Sequence, residues 1–250
     1  MSKPKVGIFG LTGCAGCQLA IINCEDELLD IVGAVDLKSF VMAQSNNEET
    51  EFDVAFVEGS VVTREDEHYL KEIRSKSGIL VAIGSCACFG GIQAAANDRE
   101  REDLLQIVYG TKENFYEARK VAALHEVVKV ELQIPGCPIE KSEIISGIAS
   151  LLRGDTPLIP TYPVCLECKY KENLCLLKER GDMCLGPVTR AGCDARCPSH
   201  GVACRGCRGP VEEANTASEY SILLEKGYAE EDIKRALRTF AYATELKEKL

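Results

Sequence analysis

Fourteen cysteines in 250 residues are the side chains of this sequence with the most chemistry in them. Five of them fall in one short run, CLGPVTRAGCDARCPSHGVACRGC, residues 184–207. Thiols at that density are either cross-linked to each other or bound to metal, and the compartment decides between the two. The apolar run Val6–Leu11 is too short for a signal-peptide core, and no twin-arginine pair precedes it. A cytoplasmic chain is therefore expected, where disulfides seldom persist and metal ligation is the natural use of so many thiols. The disulfide scaffold stays as an alternative, with an intracellular hyperthermophile protein as its best case.

Four cysteines share a kind of position. Cys14 and Cys17 follow the apolar run KVGIFG (5–10), Cys86 follows ILVAIGS (79–85), and Cys137 follows the end of VVKVELQIPG (127–136). Each run reads as a buried strand, so all four thiols lie at carboxyl ends of strands. In an open parallel sheet, ligands bind at that edge, near the point where the strand order reverses. Four thiolates converging there form the ligand set of a [4Fe–4S] cluster. Gly10, Gly13, Gly16, Gly84, Gly90, Gly91 and Gly136 would let backbone approach such a group. Ordinary buried thiols are the bland alternative. A dinucleotide loop fits poorly, because GLTGCAG lacks the G-x-G-x-x-G spacing.

Eight more cysteines follow the pattern Cys165-x2-Cys168-x6-Cys175-x8-Cys184-x8-Cys193-x3-Cys197-x6-Cys204-x2-Cys207. Eight ligands make two four-thiol sites. Spacing alone leaves iron–sulfur and structural zinc open, since zinc also accepts four thiolates. Arg190, Arg196, Arg205 and Arg208 crowd this segment. They are either solvated surface charge or cations that raise the reduction potential of an anionic cluster.

The elements that must position these thiols change character along the chain. Residues 1–155 alternate apolar runs with helical patterns: DVAFVEGS (53–60) is another strand, AVDLKSFVMA (34–43) a weaker one, and helices are expected over 18–32, 64–76 and 139–154. Alternation of this kind predicts an α/β fold with a doubly wound parallel sheet. Residues 97–125 read as a helical insertion. TPLIPTYPVC opens a second region, 156–250, in which strand-length apolar runs are absent and metal would replace a conventional core. Two helices split at Gly227 are expected in the tail. The composition is that of a soluble globular chain, and a net charge of −10 excludes a nucleic-acid backbone binder. No apolar stretch reaches membrane-spanning length.

LTGCAGCQL, VEGSVVTRED, IGSCACFGG and PGCP together resemble the small subunit of [NiFe]-hydrogenases, a family related to the cluster-bearing 20 kDa subunit of respiratory complex I. YPVCLECK and CLGPVTRAGCDARCPSHGVACRGCRG resemble the small (delta) subunit of cytoplasmic NAD(P)-linked hydrogenases, the sulfhydrogenase type. The similarity runs from about residue 4 to 210. It implies a flavodoxin-like domain over 1–155, an iron–sulfur domain with C-terminal helices over 156–250, and three [4Fe–4S] clusters in a line. By the same resemblance Cys14, Cys17, Cys86 and Cys137 hold the proximal cluster. Cys165, Cys168, Cys175 and Cys184 hold the distal one, and Cys193, Cys197, Cys204 and Cys207 the medial one. Where some relatives have proline, this sequence has Cys197, which implies four irons in the medial cluster. Gln18 replaces an acidic residue of the pattern, and Ile139 a proline.

Cys24 and Cys88 are left over, the first as a packed thiol and the second as a packed thiol or a substitute ligand for Cys86. His200 is a substitute for Cys197, whereas His68 and His125 read as structural. Glu58 ends a strand close to the proximal site. The resemblance implies a non-catalytic electron-transfer subunit of a hydrogenase, since the C-x-x-C pairs of a nickel–iron site are missing from this sequence. The nickel–iron site would lie on a large-subunit partner, and FAD on a flavin/iron–sulfur partner that handles NAD(P)H. The alternatives are an electron-transfer subunit of a complex-I-like or other reductase, and a zinc-binding structural protein. Colour separates the last from the others, because thiolate-bound iron–sulfur protein is brown.

Overall fold

The computed structural model describes residues 3–24, 27, 33–113 and 118–241. Its centre is a sheet of five strands: β1 (Lys5–Gly10), β2 (Asp36–Phe40), β3 (Phe52–Glu58), β5 (Ser77–Ile83) and β7 (Leu132–Ile134). Their order is β2-β1-β3-β5-β7, every neighbouring pair parallel. A short antiparallel ribbon, β4 (Val61–Thr63) with β6 (Ala118–Ala122), stands apart from it. With the ribbon set aside, the order is that of a flavodoxin-like doubly wound sheet, as expected. Its reversal lies at β1, which has β2 on one side and β3 on the other.

Period-two alternation sends the side chains of each strand into two cores. Val54, Phe56, Val81 and Ile83 face a layer closed by Ile21 of α1 (Gly16–Ile22) and Ile144 and Ile148 of α5 (Lys141–Leu152). Ala55, Val57, Leu80 and Ala82 face the opposite layer, closed by Leu70 and Ile73 of α2 (Arg64–Ser75). The expected helix over 18–32 is described only in part; residues 25, 26 and 28–32 lie outside the described residues.

Two expectations need correction. The run 127–136 is a strand only at Leu132–Ile134. Leu124–Glu126 forms a tight helical turn closed by the Glu126 side chain on the Ala123 amide, 2.7 Å, and Val127, Val128 and Val130 pack on the core from a loop. The stretch 97–125 is not wholly helical either. Residues Ile92–Asp98 form a 3-10 segment and Arg101–Tyr109 form α4, but β6 follows. Asn97 explains this, since its side-chain amide bonds both the N–H and the carbonyl of Val121, 2.8 Å each, and fixes that residue in extended form beside β4.

After an irregular stretch from 155 to 161 come α6 (Val164–Tyr170), a single wide turn at Leu176–Arg180, and α7 (Arg196–Ser199). The tail forms α8 (Thr216–Glu225) and α9 (Glu230–Arg238), split at Gly227 as expected. Residues 242–250 lie outside the described residues. This half has a small apolar core after all: Leu223, Ile233 and Leu237 of the two helices pack on Leu185 and Val188 between the cysteines. Among the described residues, no helix is long and apolar enough to cross a membrane.

One carboxylate joins the ribbon, α2 and the loop after β1. Asp66 accepts hydrogen bonds from Val62 N (3.0 Å), Thr63 N (2.9 Å) and Thr12 Oγ1 (2.9 Å), while its own N–H bonds the Thr63 hydroxyl in a reciprocal cap. Replacement Asp66→Ala leaves these donors without their acceptor. It is expected to lower stability by about 2 kcal/mol, within the range for unsatisfied buried groups. Thermal unfolding measures it, and an unchanged midpoint would show that water takes over all three bonds.

Candidate metal centre

The first set of thiols is assembled by loops zipped together at the carboxyl edge of the sheet. Leu11 N bonds Glu58 O (2.7 Å) and Ser60 N bonds Thr12 O (2.9 Å), joining the loops after β1 and β3. Ser85 N bonds Gly136 O (2.8 Å), joining the loops after β5 and β7. Cys14 lies in the first loop, Cys17 at the start of α1, Cys86 in α3 (Gly84–Phe89) and Cys137 after β7. Glu58, 4% exposed, turns its carboxylate under the first loop and accepts from Cys17 N and Gln18 N, 3.0 Å each. Gln93 holds the other side: it accepts from the Cys86 thiol (3.3 Å) and donates to Thr12 O (3.0 Å).

These thiols are close enough to act on one another. Burial above all, then Glu58, and further Cys86 and Cys137, push the Cys17 thiol far up. Cys86 is raised by burial and then by Cys137 and Cys14, and Cys137 by burial and then by Cys14. Glycines clear the space between them. A Cβ on Gly84 would press on Cys17 Sγ, one on Gly91 would lie 2.6 Å from Cys86 Sγ, and one on Gly16 3.2 Å from Cys14 Sγ. Gly84 and Gly91 also have left-handed backbone, φ +83° and +61°.

Two further sets occupy the cysteine-rich half. Cys165 is pushed up to about 12 by burial, then by Cys184, Cys168 and Cys175, with Glu219 adding to these. Cys207 is pushed up to about 11 by burial, then by Cys193, Cys197 and, from the sheet half, Cys137. Cys204 is pushed up to about 12, by burial first, with Cys184 and Cys207 among the lesser causes. The backbone joins the sets as well: Cys204 N donates to Cys184 Sγ (3.3 Å), and the Ser85 hydroxyl donates to Cys207 O. Cys204 is thereby tied to Cys184, and Cys207 to the residue before Cys86. Gly186 sits where a Cβ would lie 3.3 Å from Cys165 Sγ and 3.6 Å from Cys184 Sγ.

Glu167, between Cys165 and Cys168, accepts from Gly192 N (2.7 Å) and Ala195 N (2.9 Å). The loop carrying Cys193 wraps around that carboxylate, with Asp194 and Ala195 at φ +56° and +46°. Glu219 on α8 is 2% exposed, its Oε1 has no hydrogen-bond partner, and burial raises its carboxyl to about 7. Sequence reasoning misses Glu167, Gln93, Ser85 and Glu219, because no spacing rule says which amide a lone polar side chain will meet. Glu58 is the exception, marked by its place at the end of β3.

The leftover cysteines behave as packed thiols. Cys24 and Cys88 are 1% and 0% exposed, and both sit in the apolar layers beside the sheet. The Cys24 thiol donates to Ala20 O (3.4 Å) and that of Cys88 to Ala82 O (3.6 Å). His200 is exposed. His68 lies on α2, and His125 lies 3.4 Å from the Gln133 amide. Of the four arginines, Arg208 is buried, Arg190 is half-buried, and Arg196 and Arg205 are exposed.

All-thiol sets are soft donor sites suited to iron–sulfur, zinc or monovalent copper. Among the described residues, no three His, Cys, Asp or Glu side chains gather tightly enough for a single metal ion. Glycine backbone at Gly16, Gly84 and Gly91 lets the thiols of Cys14, Cys17 and Cys86 lie where a side chain would stand, a donor set that suits an iron–sulfur cluster. Comparison with known proteins decides the family. The model described as NADH ubiquinone oxidoreductase, 20 Kd subunit, matches residues 14–151. The chain belongs to this family, which it shares with the small subunits of [NiFe]-hydrogenases.

Sulfhydrogenase 2 subunit delta of Pyrococcus furiosus is 38% identical over 237 residues, 95% of this chain and 99% of that protein. The delta subunit of the NAD-reducing hydrogenase HoxS of Cupriavidus necator is 32% identical over 167 residues, 61% of this chain and 80% of that one. Among solved structures, an NAD+-reducing [NiFe]-hydrogenase in the H2-reduced state matches with TM-score 0.56 and 29% identity, over 63% of this chain and 96% of the other. The [NiFeSe]-hydrogenase of Dm. baculatum shares the fold at 18% identity, TM-score 0.57, over 84% of this chain and 95% of the other. The expected family and fold class are both met.

Within this family member, the close approach at Gly84 makes a test of the first thiol set. Gly84→Ala is expected to lower the chain's iron content, because the added methyl displaces the Cys17 thiol. Gly33→Ala, where a Cβ meets nothing within 4 Å, should leave the iron content unchanged. Iron and acid-labile sulfide assays on anaerobically purified variants give the answer. Equal iron in both would mean that Cys17 and its neighbours hold none.

Proposed function

We propose that this chain is the electron-transfer small subunit of a cytoplasmic [NiFe]-hydrogenase and holds three [4Fe–4S] clusters in a row. The observation that supports the reading is that thiols act on one another in separate places: Cys17 with Cys86 and Cys137, Cys165 with Cys184, Cys168 and Cys175, and Cys207 with Cys193 and Cys197. The Ser85–Cys207 and Cys204–Cys184 hydrogen bonds support a middle place for the cluster of Cys193, Cys197, Cys204 and Cys207. The proximal ligands are Cys14, Cys17, Cys86 and Cys137, and the distal ligands Cys165, Cys168, Cys175 and Cys184. Residues 1–155 form the flavodoxin-like domain with the first set, and 156–250 the iron–sulfur domain with the other two. The hydrogenase names of the relatives support the role.

When bound, the clusters supply one-electron exchange. The chain's residues supply everything else. Twelve thiolates bind iron, Glu58 and Glu167 hold the ligand loops through backbone amides, and Val164 and Ala195 pack against Cys184 and Cys204. Cys14 and Cys137 are exposed at the sheet edge, and we assign that edge to a large subunit bearing the nickel–iron site. Cys175 is exposed at the other end beside Leu166, Tyr170 and Leu174, all at least half exposed. We assign that end to a flavin/iron–sulfur subunit handling NAD(P)H.

About twelve irons and twelve sulfides per chain are expected, from three four-iron clusters. Stoichiometric zinc with little iron would replace the reading by the structural-zinc alternative. Cys168→Ser should spare hydrogen–deuterium exchange at the large subunit while slowing pyridine-nucleotide reduction at least about tenfold, which corresponds to a barrier change of about 1.4 kcal/mol. Cys17→Ser should impair transfer to every acceptor. A Cys168→Ser protein that loses its cluster yet reduces NADP at the wild-type rate would overturn the distal assignment. A native complex without any exchange activity would point to a reductase that does not use hydrogen.

A further inference from the structure

Two carboxylates on the segment after Cys137 reach across to two arginines of the cysteine-rich half. Arg196 Nη2 meets Glu140 Oε2 at 2.6 Å with the arginine side chain 64% exposed. Arg208 Nη2 meets Glu143 Oε1 at 2.5 Å with side chains only 2% and 12% exposed. One bridge is wet and the other dry. Arg208 is held further by its Nε, which donates to Ala191 O at 2.7 Å. Gly192 clears the space, since a Cβ there would collide with both the Glu143 carboxylate and the guanidinium.

Even so, the dry pair is incompletely satisfied. Arg208 Nη1 and Glu143 Oε2 are both buried without a hydrogen-bond partner. Breaking or underusing such a pair is costly, and stability alone does not require a buried arginine, because apolar side chains fill such a space as well or better. The location offers a different reason. Arg208 follows Cys207 directly, and its guanidinium lies against Gly192, the residue before Cys193. Arginine is the one side chain whose positive charge survives burial at any working pH.

We propose that Arg208 raises the electron affinity of the middle station, the cluster held by Cys193, Cys197, Cys204 and Cys207, and that Glu143 moderates it. The inference rests on the assignment of a cluster to those four cysteines. Accepting an electron adds one negative charge to the station, and a fixed cation beside it favours the reduced form. In a protein interior of effective dielectric about 4–20, that influence is far larger than in water. The unused Nη1–H is a donor available to a cluster sulfur. The Arg196–Glu140 bridge, screened by solvent, should have little effect.

The dyad predicts shifts of opposite sign, which a packing role does not. The experiment is an anaerobic redox titration of the purified complex, followed by electron paramagnetic resonance. Cys207→Ser first identifies the signal of the middle set. If every signal survives that change, the cluster assignment is what fails. Otherwise, at a fixed solution potential, Arg208→Gln should lower the reduced-to-oxidised ratio of that signal about tenfold, or about 59 mV for one electron. Glu143→Gln should raise the ratio, Arg208→Lys should fall between wild type and Arg208→Gln, and Arg196→Gln should leave it unchanged. If Arg208→Gln does not retain the cluster, Glu143→Gln and Arg208→Lys decide the matter. Shifts of the same sign in Arg208→Gln and Glu143→Gln, or shifts no larger than that of Arg196→Gln, would overturn the proposal.

Discussion

Four thiols gathered in one place repel one another as soon as they ionise, and in a poorly solvated interior the repulsion is strong. Cys17, Cys165, Cys204 and Cys207 all show it, in thiols raised by burial and by each other. The backbone must therefore hold the thiols together through forces other than those of the thiols themselves. A parallel sheet does this with little local cost. Its strands are tied in register over their length, so that loops leaving β1, β3, β5 and β7 start from fixed neighbouring points. Bonds such as Ser60 N to Thr12 O and Ser85 N to Gly136 O then carry the alignment out to the ligands.

A carboxylate reinforces the ligand loops in each half. Glu58 gathers the amides of Cys17 and Gln18, and Glu167 gathers those of Gly192 and Ala195. The device is the same in both halves: an anion bound by backbone N–H groups at the base of a ligand loop, where charge-assisted hydrogen bonds are stronger than neutral ones. Each carboxylate adds negative charge near thiolates that already repel. Glu58 accordingly ranks just after burial among the causes that raise Cys17, and Glu167 holds the same rank for Cys193. Geometry is favoured over electrostatics at these two points, and bound iron must restore the balance.

Much of this is legible in sequence. The apolar runs around Val6–Phe9, Val54–Val57 and Leu80–Ile83 are buried on both faces, and such strands read as near-continuous hydrophobic stretches. Cysteines placed just after them need only the rule that parallel sheets bind ligands at their carboxyl edge. Pattern reading fails where side chains outweigh local propensity. Asn97 turns Ala118–Ala122 into a strand from more than twenty residues away, and Glu126 closes a turn within a run of valines that reads as a strand. The Arg208–Glu143 pair spans sixty-five positions, a separation that no motif encodes. Family resemblance supplies the grouping of the last eight cysteines, which spacing alone leaves open.

The exposure of the thiols is uneven in a way that follows the proposed row. Cys14 and Cys137 at one end and Cys175 at the other are exposed, whereas Cys193, Cys197, Cys204 and Cys207 are all half-buried or buried. With clusters in the proposed order, the polypeptide would act as insulation stripped at both tips and thicker in between. Charge moving along such a path would leak less sideways than at its ends, and whatever docks at either tip would complete the sheath. Until both tips are covered, the same openings admit small oxidants, so the free subunit is most vulnerable at the two places where it is built to connect.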